Sequence, residues 1–569
     1  MKETVIKFVL QNAIEFNLSV NSKVVLGSVL KDMPSCRSDV PALLKEIDSA
    51  ILSIKGKSVE DLRAQLLAID PALLEAKKVV VSLGPLKELP NAVMGKVVLR
   101  IAPSPSGPLH IGHAYGTSLN YEYAKMYKGK LILRIEDTNA ENIYPQAYEL
   151  IERDARWLTE NGLEQEVIVQ SSRLGIYNDA VEKLVEKGDV YICTCDADAW
   201  REMKNKGEAC LCRALTVAEN RTRWAKMFGE YAEGEAVVRL KTDIAHKNPA
   251  MRDFGVMRIV EHIHPKTGKS QRLWPLMVFS VAVDDHEMGV THVLNGKDHA
   301  DNAIKEKMIM ECLGWKAPEY KHWGRINFEG FELSTSQTRV AIEQGAYKGW
   351  EDIRLPFLPA LRKRGYQPGA FRRFAMEIGL SLNDKTVAIG EFWKNINAFN
   401  KEIIDSKSRR AFFIASPVRV PVNGVKGSVV AHVPVHPNFV ELGSRSFTVG
   451  SEIYLSTDDV ARLEEGKIHR LIEGYNFTVS SGVFTFHSST YEEYKSAGSA
   501  RGMIIHYLPV SAELVPVDVC MTDGSVVAGL GESALSTLKE GEIVQFERCY
   551  FARLDHVDAK KLTFWYLHE

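Results

Sequence analysis

The stretch KVVLRIAPSPSGPLHIGHA, residues 96–114, joins an apolar run to a turn rich in proline, glycine and serine, and then to two histidines. The apolar run has the length of a buried strand, and the histidines begin a segment whose apolar positions recur at helical period. A second apolar run, residues 130–138, and a helical pattern, residues 144–163, follow. This alternation predicts a parallel α/β sheet, with His110 and His113 at a helix N-terminus beyond a strand.

The residues alone allow three interpretations of these histidines. Two histidines on neighbouring turns of a helix can both reach one metal ion, but a zinc site needs a further ligand that no local spacing supplies. Both rings can instead cap the helix and be satisfied by backbone groups. Because helix N-termini bind phosphate, and Gly107 and Gly112 let a nucleotide approach the backbone, the context favours a phosphate site.

The 569 residues are too many for one hydrophobic core, so several domains are expected. Apolar steps of three and four predict helices before residue 90, with Ser58 at a helix start, and residues 84–95 predict a linker. Strands and turns after residue 410 predict β-barrels. The predicted domains are a helical N-terminal extension, residues 1–95, and a Rossmann-type α/β domain, residues 96–325, interrupted by an insertion at about 188–275. A helical connecting domain, residues 326–405, and an all-β region, residues 406–569, follow.

The composition is that of a soluble globular protein, with 45% hydrophobic and 25% charged residues. A net charge of −2 argues against an overall basic surface for nucleic acid, although not against local basic strips.

The longest apolar run, residues 274–283, is shorter than the ~20 residues that cross a bilayer, and the first residues lack the layout of a signal peptide. We expect a cytoplasmic protein without membrane association.

Four of the eight cysteines form the pattern C-x-C and C-x-C with 14 residues between the pairs. Four thiolates at this spacing are typical of a closed tetrahedral zinc site, which has no position for a reacting water. A pair of disulfides is the alternative, and the reducing compartment argues against it. The predicted metal ligands are Cys193, Cys195, Cys210 and Cys212.

The HIGH tetrapeptide after a strand and a Pro-x-Gly turn resembles the signature of class I aminoacyl-tRNA synthetases. Together with LILRIEDT it resembles the glutamyl and glutaminyl enzymes. The segments AVDDHEMGVTHVLNGKDH, FELSTSQTR, GWEDIRLP and KRGYQPGAFRRF, the helical extension and the β-barrel end resemble the archaeal type of glutamyl-tRNA synthetase. The resemblance covers essentially the whole chain.

This resemblance implies that glutamate is activated with ATP to glutamyl-adenylate and then transferred to the 3′ end of tRNA. It places His110 and His113 at the ATP phosphates, and Ser334, Ser336 and Arg339 in the second catalytic motif, ELSTS and the residues after it. An ordinary Ser/Thr turn that caps a helix is the alternative for that motif. The implied ATP-binding residues are Pro103, Gly107, His110, Gly112, His113, Leu333, Ser334, Thr335 and Ser336.

For the amino acid, the resemblance implies contacts from Arg100, Ser104 and Glu136, with Glu136 at the α-ammonium group. Val278 stands where the family has asparagine, and Asn295 where it has an arginine that pairs with the substrate side-chain carboxylate. Both belong to the predicted amino-acid-binding set. The pocket is therefore predicted to be less cationic than in the family.

The implied cofactors are ATP, as substrate with Mg2+, and a structural Zn2+. The implied partner is the glutamate tRNA, and the glutamine tRNA is a further possibility; the insertion meets the acceptor end and the barrels read the anticodon. We expect a monomer. Two alternatives stay open, a paralogue with altered amino-acid specificity and a non-catalytic tRNA-binding relative; an unrelated nucleotidyltransferase would not need the insertion or the barrels.

Overall fold

Two units, divided after Pro85, make up the chain. The computed structural model describes residues 2–15, 20, 22–33, 39–70, 86–329, 333–510 and 513–569. None of the helices in these ranges combines the length and the apolar character needed to cross a bilayer.

The first unit is helical, as predicted. Its helices are α1 (Lys2–Glu15), α2 (Ser22–Asp32), α3 (Val40–Ser53) and α4 (Val59–Ile69). The predicted helix start at Ser58 is confirmed, because Ser58 Oγ accepts the Asp61 N–H and the Asp61 carboxylate accepts the Ser58 N–H, both at 3.1 Å. Leucines at the period of a helix, such as Leu62 and Leu66, are fully buried in the core of this unit.

The second unit begins with three parallel strands that alternate with helices. These elements are β1 (Val98–Ile101), α5 (Ile111–Met126), β2 (Lys130–Ile135), α6 (Ala147–Leu158), β3 (Val167–Val169) and α7 (Leu174–Lys187). β2 lies between β1 and β3. The strands are short and almost wholly apolar, as expected where helices cover both faces of a parallel sheet.

An antiparallel sheet of four strands interrupts this alternation. Its elements are β4 (Val190–Cys193), α8 (Ala197–Lys206), α9 (Val217–Met227), β5 (Val237–Leu240), β6 (Gly255–Ile259) and β7 (Leu273–Pro275). The strands follow one another in chain order across the sheet. Trp274 and Phe279 share one hydrophobic core, which therefore extends from this sheet to the helix that follows it.

The parallel arrangement resumes with α10 (Met277–Glu287), β8 (His292–Gly296), α11 (Ala300–Leu313) and β9 (Glu319–Trp323). The apolar residues at the start of α10 form a helix. Their periodicity alone could not distinguish a helix from a buried strand. β8 and β9 are parallel, and the Thr291 N–H donates to Val98 O at 3.0 Å, which sets β8 beside β1.

The region predicted as a helical connecting domain also contains strands, which corrects that prediction. Its elements are β10 (Ile326–Glu329), α12 (Thr335–Glu343), α13 (Leu358–Arg364), α14 (Pro368–Ile378), β11 (Lys385–Ala388) and α15 (Ile389–Ile404). β10 and β11 pair in parallel although more than fifty residues separate them. Such a short, non-local pair leaves no periodic signal in the sequence.

The last region is β-rich, with two seven-stranded sheets. Its elements are β12 (Arg409–Ala411), β13 (Phe413–Ala415), β14 (Pro417–Asn423), β15 (Val429–Pro434), β16 (Ser444–Val449), β17 (Glu452–Ser456), α16 (Thr457–Arg462), β18 (Ile468–Leu471), β19 (Asn476–Ser480), β20 (Val483–Ser488), α17 (Tyr491–Ser496), β21 (Arg501–Ile505), β22 (Leu508–Pro509), β23 (Val515–Cys520), β24 (Val526–Gly531), β25 (Ile543–Phe546), β26 (Phe551–Val557) and β27 (Leu562–His568). One sheet has the order β12-β25-β26-β27-β23-β24-β13. Only Phe412 separates its two outermost strands in sequence, so the sheet curls into a nearly closed barrel.

The described part of the predicted linker, residues 86–95, packs on the second unit. The Leu89 N–H donates to the Tyr127 hydroxyl at 2.8 Å, and the Gly95 N–H donates to Tyr127 O at 2.7 Å. Leu89 is buried. The boundary therefore falls earlier than the predicted residue 95, and residues 84 and 85 of that linker lie outside the described ranges.

Asp154 on α6 anchors the turn that follows β1. Its side chain is fully buried, and its Oδ2 accepts the Leu109 N–H at 3.2 Å. Burial raises the pKa of Asp154 to about 7, against the opposing effects of Arg362, which lies 3.8 Å away, and of Arg153. The folded chain therefore binds this proton more tightly than the unfolded chain, in which the carboxyl has a pKa of about 3.9.

Stability contributed by this group is accordingly lost as the pH rises from about 4 to about 7. Asp154→Asn keeps an oxygen for the Leu109 N–H and cannot ionise. We expect the variant to gain on the order of 2 kcal/mol relative to wild type between pH 5 and pH 8, a difference of a few degrees in Tm. Thermal unfolding of both proteins across this range measures it. Glu149→Gln on the exposed face of α6 is the matched control, and a pH-independent difference for Asp154→Asn would contradict the raised pKa.

Candidate functional site

A cavity of about 410 Å3 lies beyond the carboxyl ends of β1, β2 and β8. Ala102 to Ser104 follow β1, Glu136 follows β2, and Asn295 and Gly296 end β8. Open parallel sheets bind ligands at this edge. The predicted site residues in its wall are Arg100, Pro103, Ser104, Gly112, His113, Glu136 and Asn295.

His110 and His113 form a reciprocal cap at the start of α5. His110 Nδ1 accepts the Gly112 N–H at 3.0 Å, and His113 Nδ1 accepts the His110 N–H at 3.3 Å. Because a backbone N–H can only donate, both Nδ1 atoms lack a proton, and each neutral ring carries its proton on Nε2. The interpretation of the two histidines as helix caps is therefore correct for their Nδ1 atoms. The Nε2–H group of each ring remains available to a ligand.

Both histidines are neutral at physiological pH. Burial lowers the pKa of His113 to about 4, and burial together with His113 holds the pKa of His110 well below its usual range. The edge of the His113 ring is nevertheless open to the cavity. Across the described ranges, the only group of three or more side chains close enough to share a metal is the four cysteines, so no third ligand joins the histidines. The pair can offer neutral N–H donors at a helix N-terminus.

A segment from the connecting region supports this histidine turn. Pro356 O accepts the Ile111 N–H at 3.3 Å, and Leu109 O accepts the Leu358 N–H at 2.9 Å. The Phe357 ring meets the His110 ring edge-on, with centroids 5.7 Å apart. The backbone bonds on both sides of His110 therefore fix the position of the ring.

The second predicted motif lies directly against the first. Ser334 caps α12, and its Oγ accepts the Gln337 N–H at 3.3 Å, as the alternative interpretation expected. A Cβ on Gly107 would lie 2.3 Å from Cγ2 of Thr335, so only glycine permits this approach. Arg339 lies 3.8 Å from Glu343, on the next turn of α12. Glu332, the first residue of the motif, lies outside the described residues.

Not every predicted residue reaches the cavity. His110, Gly107, Arg339 and the residues 333–336 lie outside its wall. Val278 packs into the hydrophobic core below α10 instead, while its neighbours Met277 and Val281 line the cavity. The prediction that Val278 contacts the amino acid therefore finds no support in this geometry, because one step along a helix turns a side chain by about 100°.

A buried cluster of charges forms the floor of the cavity. Arg100 donates to both oxygens of Asp285, from Nε at 3.2 Å and from Nη2 at 3.3 Å. Arg134, with no exposed surface, donates to Asp285 at 2.6 Å and to Glu136 at 3.0 Å. Desolvation would raise the pKa of Asp285, but Arg100 and Arg134 hold it below its usual range. The positive charge of Arg100 is therefore already balanced by a protein carboxylate.

Asn295 presents donors rather than a charge. Its Oδ1 lies 2.6 Å from His322 Nδ1, and because an amide oxygen can only accept, His322 carries its proton on Nδ1. Burial lowers the pKa of His322, so this ring is neutral. The amide oxygen of Asn295 is occupied, and its NH2 group is left for a ligand.

Sequence reasoning missed several residues of this wall, among them Glu306 and Trp323. Glu306 is 4% exposed on α11. Burial raises its pKa to about 7. Trp323 packs so closely on Gly116 that a Cβ there would lie 2.7 Å from the indole. Glu306 follows the recognisable motif by several residues and sits among ordinary surface charges, so no sequence signal separated it from them.

The four cysteines converge in the antiparallel sheet of the insertion. Their sulfurs all lie within 4.8 Å of one another; Cys193 and Cys210 are 4.0 Å apart, and Cys195 and Cys212 are 3.7 Å apart. Tetrahedral zinc with Zn–S bonds of about 2.3 Å places its sulfurs about 3.8 Å apart, so the set fits zinc. Neither distance is that of a disulfide, about 2.05 Å.

Cys212 is the thiol of this cluster that ionises most easily. Burial alone would raise the pKa of Cys212, but hydrogen bonds from the Thr194 N–H and from Arg223 lower that pKa to about 7. Arg223 Nη1 lies 3.2 Å from this sulfur. Burial raises the pKa of Cys195. The cluster therefore holds one thiol that is readily ionised, and binding of a metal would favour the thiolate form of its ligands.

Comparison with known proteins gives a match along the whole chain. Residues 96–406 match tRNA synthetases class I (E and Q), catalytic domain, and residues 408–494 match the anti-codon binding domain of the same family. Proteins named glutamate–tRNA ligase are 42% identical in Methanothermobacter thermautotrophicus, 41% in Methanococcus maripaludis and 38% in Methanocaldococcus jannaschii, each over 100% of both chains. The two family matches and the full-length relatives agree with the histidine pair that caps a helix beside a parallel-sheet cavity. The chain therefore belongs to the class I tRNA synthetases of the E and Q family.

Proposed function

We propose that the chain is a glutamate–tRNA ligase. The observation that carries the proposal is the 42% identity to a protein of that name over the full length of both chains. In the first step the α-carboxylate oxygen of glutamate attacks the α-phosphorus of ATP, and pyrophosphate leaves with the electron pair of the broken bond. In the second step a hydroxyl of the terminal adenosine of tRNA attacks the activated carbonyl, and AMP leaves.

Charge that develops on phosphoryl oxygens in the first step needs donors that are already in place. His110 and His113 supply them through Nε2–H, since the backbone holds each Nδ1. Pro103, Gly107 and Gly112 surround the nucleotide, and Leu333 to Ser336 with Arg339 close over the phosphates, supported by the contact between Gly107 and Thr335. ATP enters with Mg2+.

Arg100, Ser104, Glu136 and Asn295 hold the amino acid. The Glu136 carboxylate is oriented by Arg134 and accepts from the α-ammonium group. Arg100 and the Asn295 amide donate to the side chain of the substrate. Both ends of the amino acid are thus bound by groups that neighbouring residues keep in place, which is the arrangement that positions a reacting carboxylate.

The four cysteines hold a structural Zn2+, which stabilises the insertion when bound. The insertion contacts the acceptor end of tRNA, and the barrels contact its anticodon. We place the protein in the cytoplasm as a monomer that acts on the glutamate tRNA; the glutamine tRNA is a second substrate to be tested. Altered amino-acid specificity and a tRNA-binding role without catalysis are outcomes of the following test.

Charging of total tRNA with each of the twenty amino acids tests the proposal. We expect glutamate to be attached in an ATP-dependent reaction with exchange of pyrophosphate. Attachment of another amino acid in preference to glutamate would establish the paralogue alternative. Binding of tRNA without any attachment would establish the non-catalytic one.

Asparagine variants separate the two roles of the histidine pair. His110→Asn and His113→Asn retain an acceptor near the position of Nδ1, so the cap and the Tm are preserved, but they remove Nε2–H. We expect adenylate formation to fall about a hundredfold, the usual effect of one lost donor to transition-state charge, roughly 3 kcal/mol. Pyrophosphate exchange measures the rate, and tRNA affinity should stay unchanged.

His432→Ala on the exposed face of β15 is the control for loss of an imidazole far from the cavity. If both asparagine variants exchange pyrophosphate at the wild-type rate, Nε2–H does not act on the phosphates and the cap is the whole role of the pair.

Metal analysis tests the zinc assignment. Protein purified under reducing conditions without chelator should contain about one Zn per chain, and Cys193→Ser or Cys212→Ser should lose it, because a closed site needs all four thiolates. Affinity for the acceptor end should fall more than affinity for ATP. Cys520→Ser, outside the cluster, should keep the metal; a zinc-free wild type would contradict the assignment.

A further inference from the structure

The arginine in the wall of the amino-acid cavity is already paired with a protein carboxylate, so it is not free to pair with the side-chain carboxylate of the substrate. Arg100 is the only lysine or arginine among the described residues that line it, and Asp285 already occupies two of its donors. Asn295 contributes an amide. The imidazoles of His113 and His299 also line it, and His299 Nε2 lies 3.6 Å from an Asp298 oxygen. A glutamate side chain that enters this cavity therefore meets donors but no lysine or arginine that is free of a protein carboxylate, although a buried carboxylate without a partner is costly.

Glu306 adds a further acid to the same wall. Its carboxyl is 4% exposed, lines the cavity, and makes no ion pair within 4 Å with any residue in the described ranges. The groups that face it from the surrounding elements are Arg100 of β1, Asp285 of α10, Glu136 after β2 and Tyr320 of β9. Asp285 and Glu136 disfavour ionisation of Glu306, whereas Arg100 and the Tyr320 hydroxyl favour it.

On the basis of the proposed function, we infer that Glu306 binds the substrate as the neutral carboxylic acid and donates its O–H to the side-chain carboxylate of glutamate. Where Glu306 is ionised in the unliganded protein, one proton from the buffer bonds to a Glu306 oxygen as glutamate enters. No other bond changes. The shared proton replaces the missing cation, as in pairs of carboxyl groups that lie close together and titrate with one proton between them.

This protonation is within easy reach at physiological pH. Burial raises the pKa of Glu306 to about 7, against the effect of Arg100 and reinforced by Asp285. About half of the unliganded molecules then carry the proton at pH 7, so a requirement for the protonated form raises the apparent Kd only about twofold there. Each further pH unit costs close to a factor of ten.

The same group affects discrimination against glutamine. Ionised Glu306 can only accept hydrogen bonds, which suits the NH2 group of a side-chain amide and not a carboxylate. Protonated Glu306 favours the carboxylate. Preference for glutamate over glutamine is therefore expected to decline as the pH rises.

The KM for glutamate in tRNA charging, measured from pH 6 to pH 8.5 with ATP and tRNA saturating, tests the inference on the unaltered protein. For a group that titrates at about 7 we expect KM to rise roughly 30-fold over this range. A second measurement is calorimetric titration with glutamate at pH 8 in buffers of different ionisation enthalpy, where close to one proton should be taken up per glutamate bound.

Glu306→Gln provides the permanent neutral donor. The variant should have a KM that is flat across the range and close to the wild-type value at pH 6, and its discrimination against glutamine should no longer depend on pH. Glu311→Gln, an exposed change of the same kind on the same helix, should keep the wild-type rise.

Two negative results are distinguishable. Glutamate charging with a KM that is independent of pH, or without proton uptake, would overturn the role of Glu306 and leave the proposed function intact. Absence of glutamate charging at every pH would overturn both.

Discussion

The buried contact between Arg134 and Asp285 is the constraint on which the arrangement of the site depends. It joins β2 to α10, and both oxygens of Asp285 also accept hydrogen bonds from Arg100 of β1. Removing one member of such a buried pair typically costs about 3–5 kcal/mol, because the other charge is left without compensation. Three elements far apart in sequence thus present their ends to the cavity in a fixed relation, and Arg134 uses a remaining N–H to orient Glu136.

The position of the cavity could be predicted from the sequence, while its electrostatics could not. Residues 96–138 specify a strand, a turn and a helix strongly enough to place the histidines at a parallel-sheet edge. Whether Arg100 is free or paired depends on Asp285, almost two hundred residues away. Glu306 likewise gains its character from burial among groups of three other elements, which no local pattern encodes.

The fold shows the same division between local and non-local information. Helices with a strong period, such as α4, and the cysteine cluster were predicted, since each depends on residues close in sequence. The strands β10 and β11 were missed because neither is recognisable without its partner. Val278 was expected at the cavity from its position in a motif, but the rotation of α10 turns it into the core.

The order of strands in the β-rich region constrains the sequence of events during synthesis. β12 and β13 supply the two margins of one barrel, whose other strands lie between residues 515 and 568. The strands of the other seven-stranded sheet, residues 417–509, lie in sequence after β13 and before these remaining strands of the barrel. A chain emerging from the ribosome therefore completes the strands of this second sheet first, while β12 and β13 wait without their partner strands for roughly ten seconds at ordinary elongation rates. Throughout that interval β12 and β13 are edges that could pair with another chain.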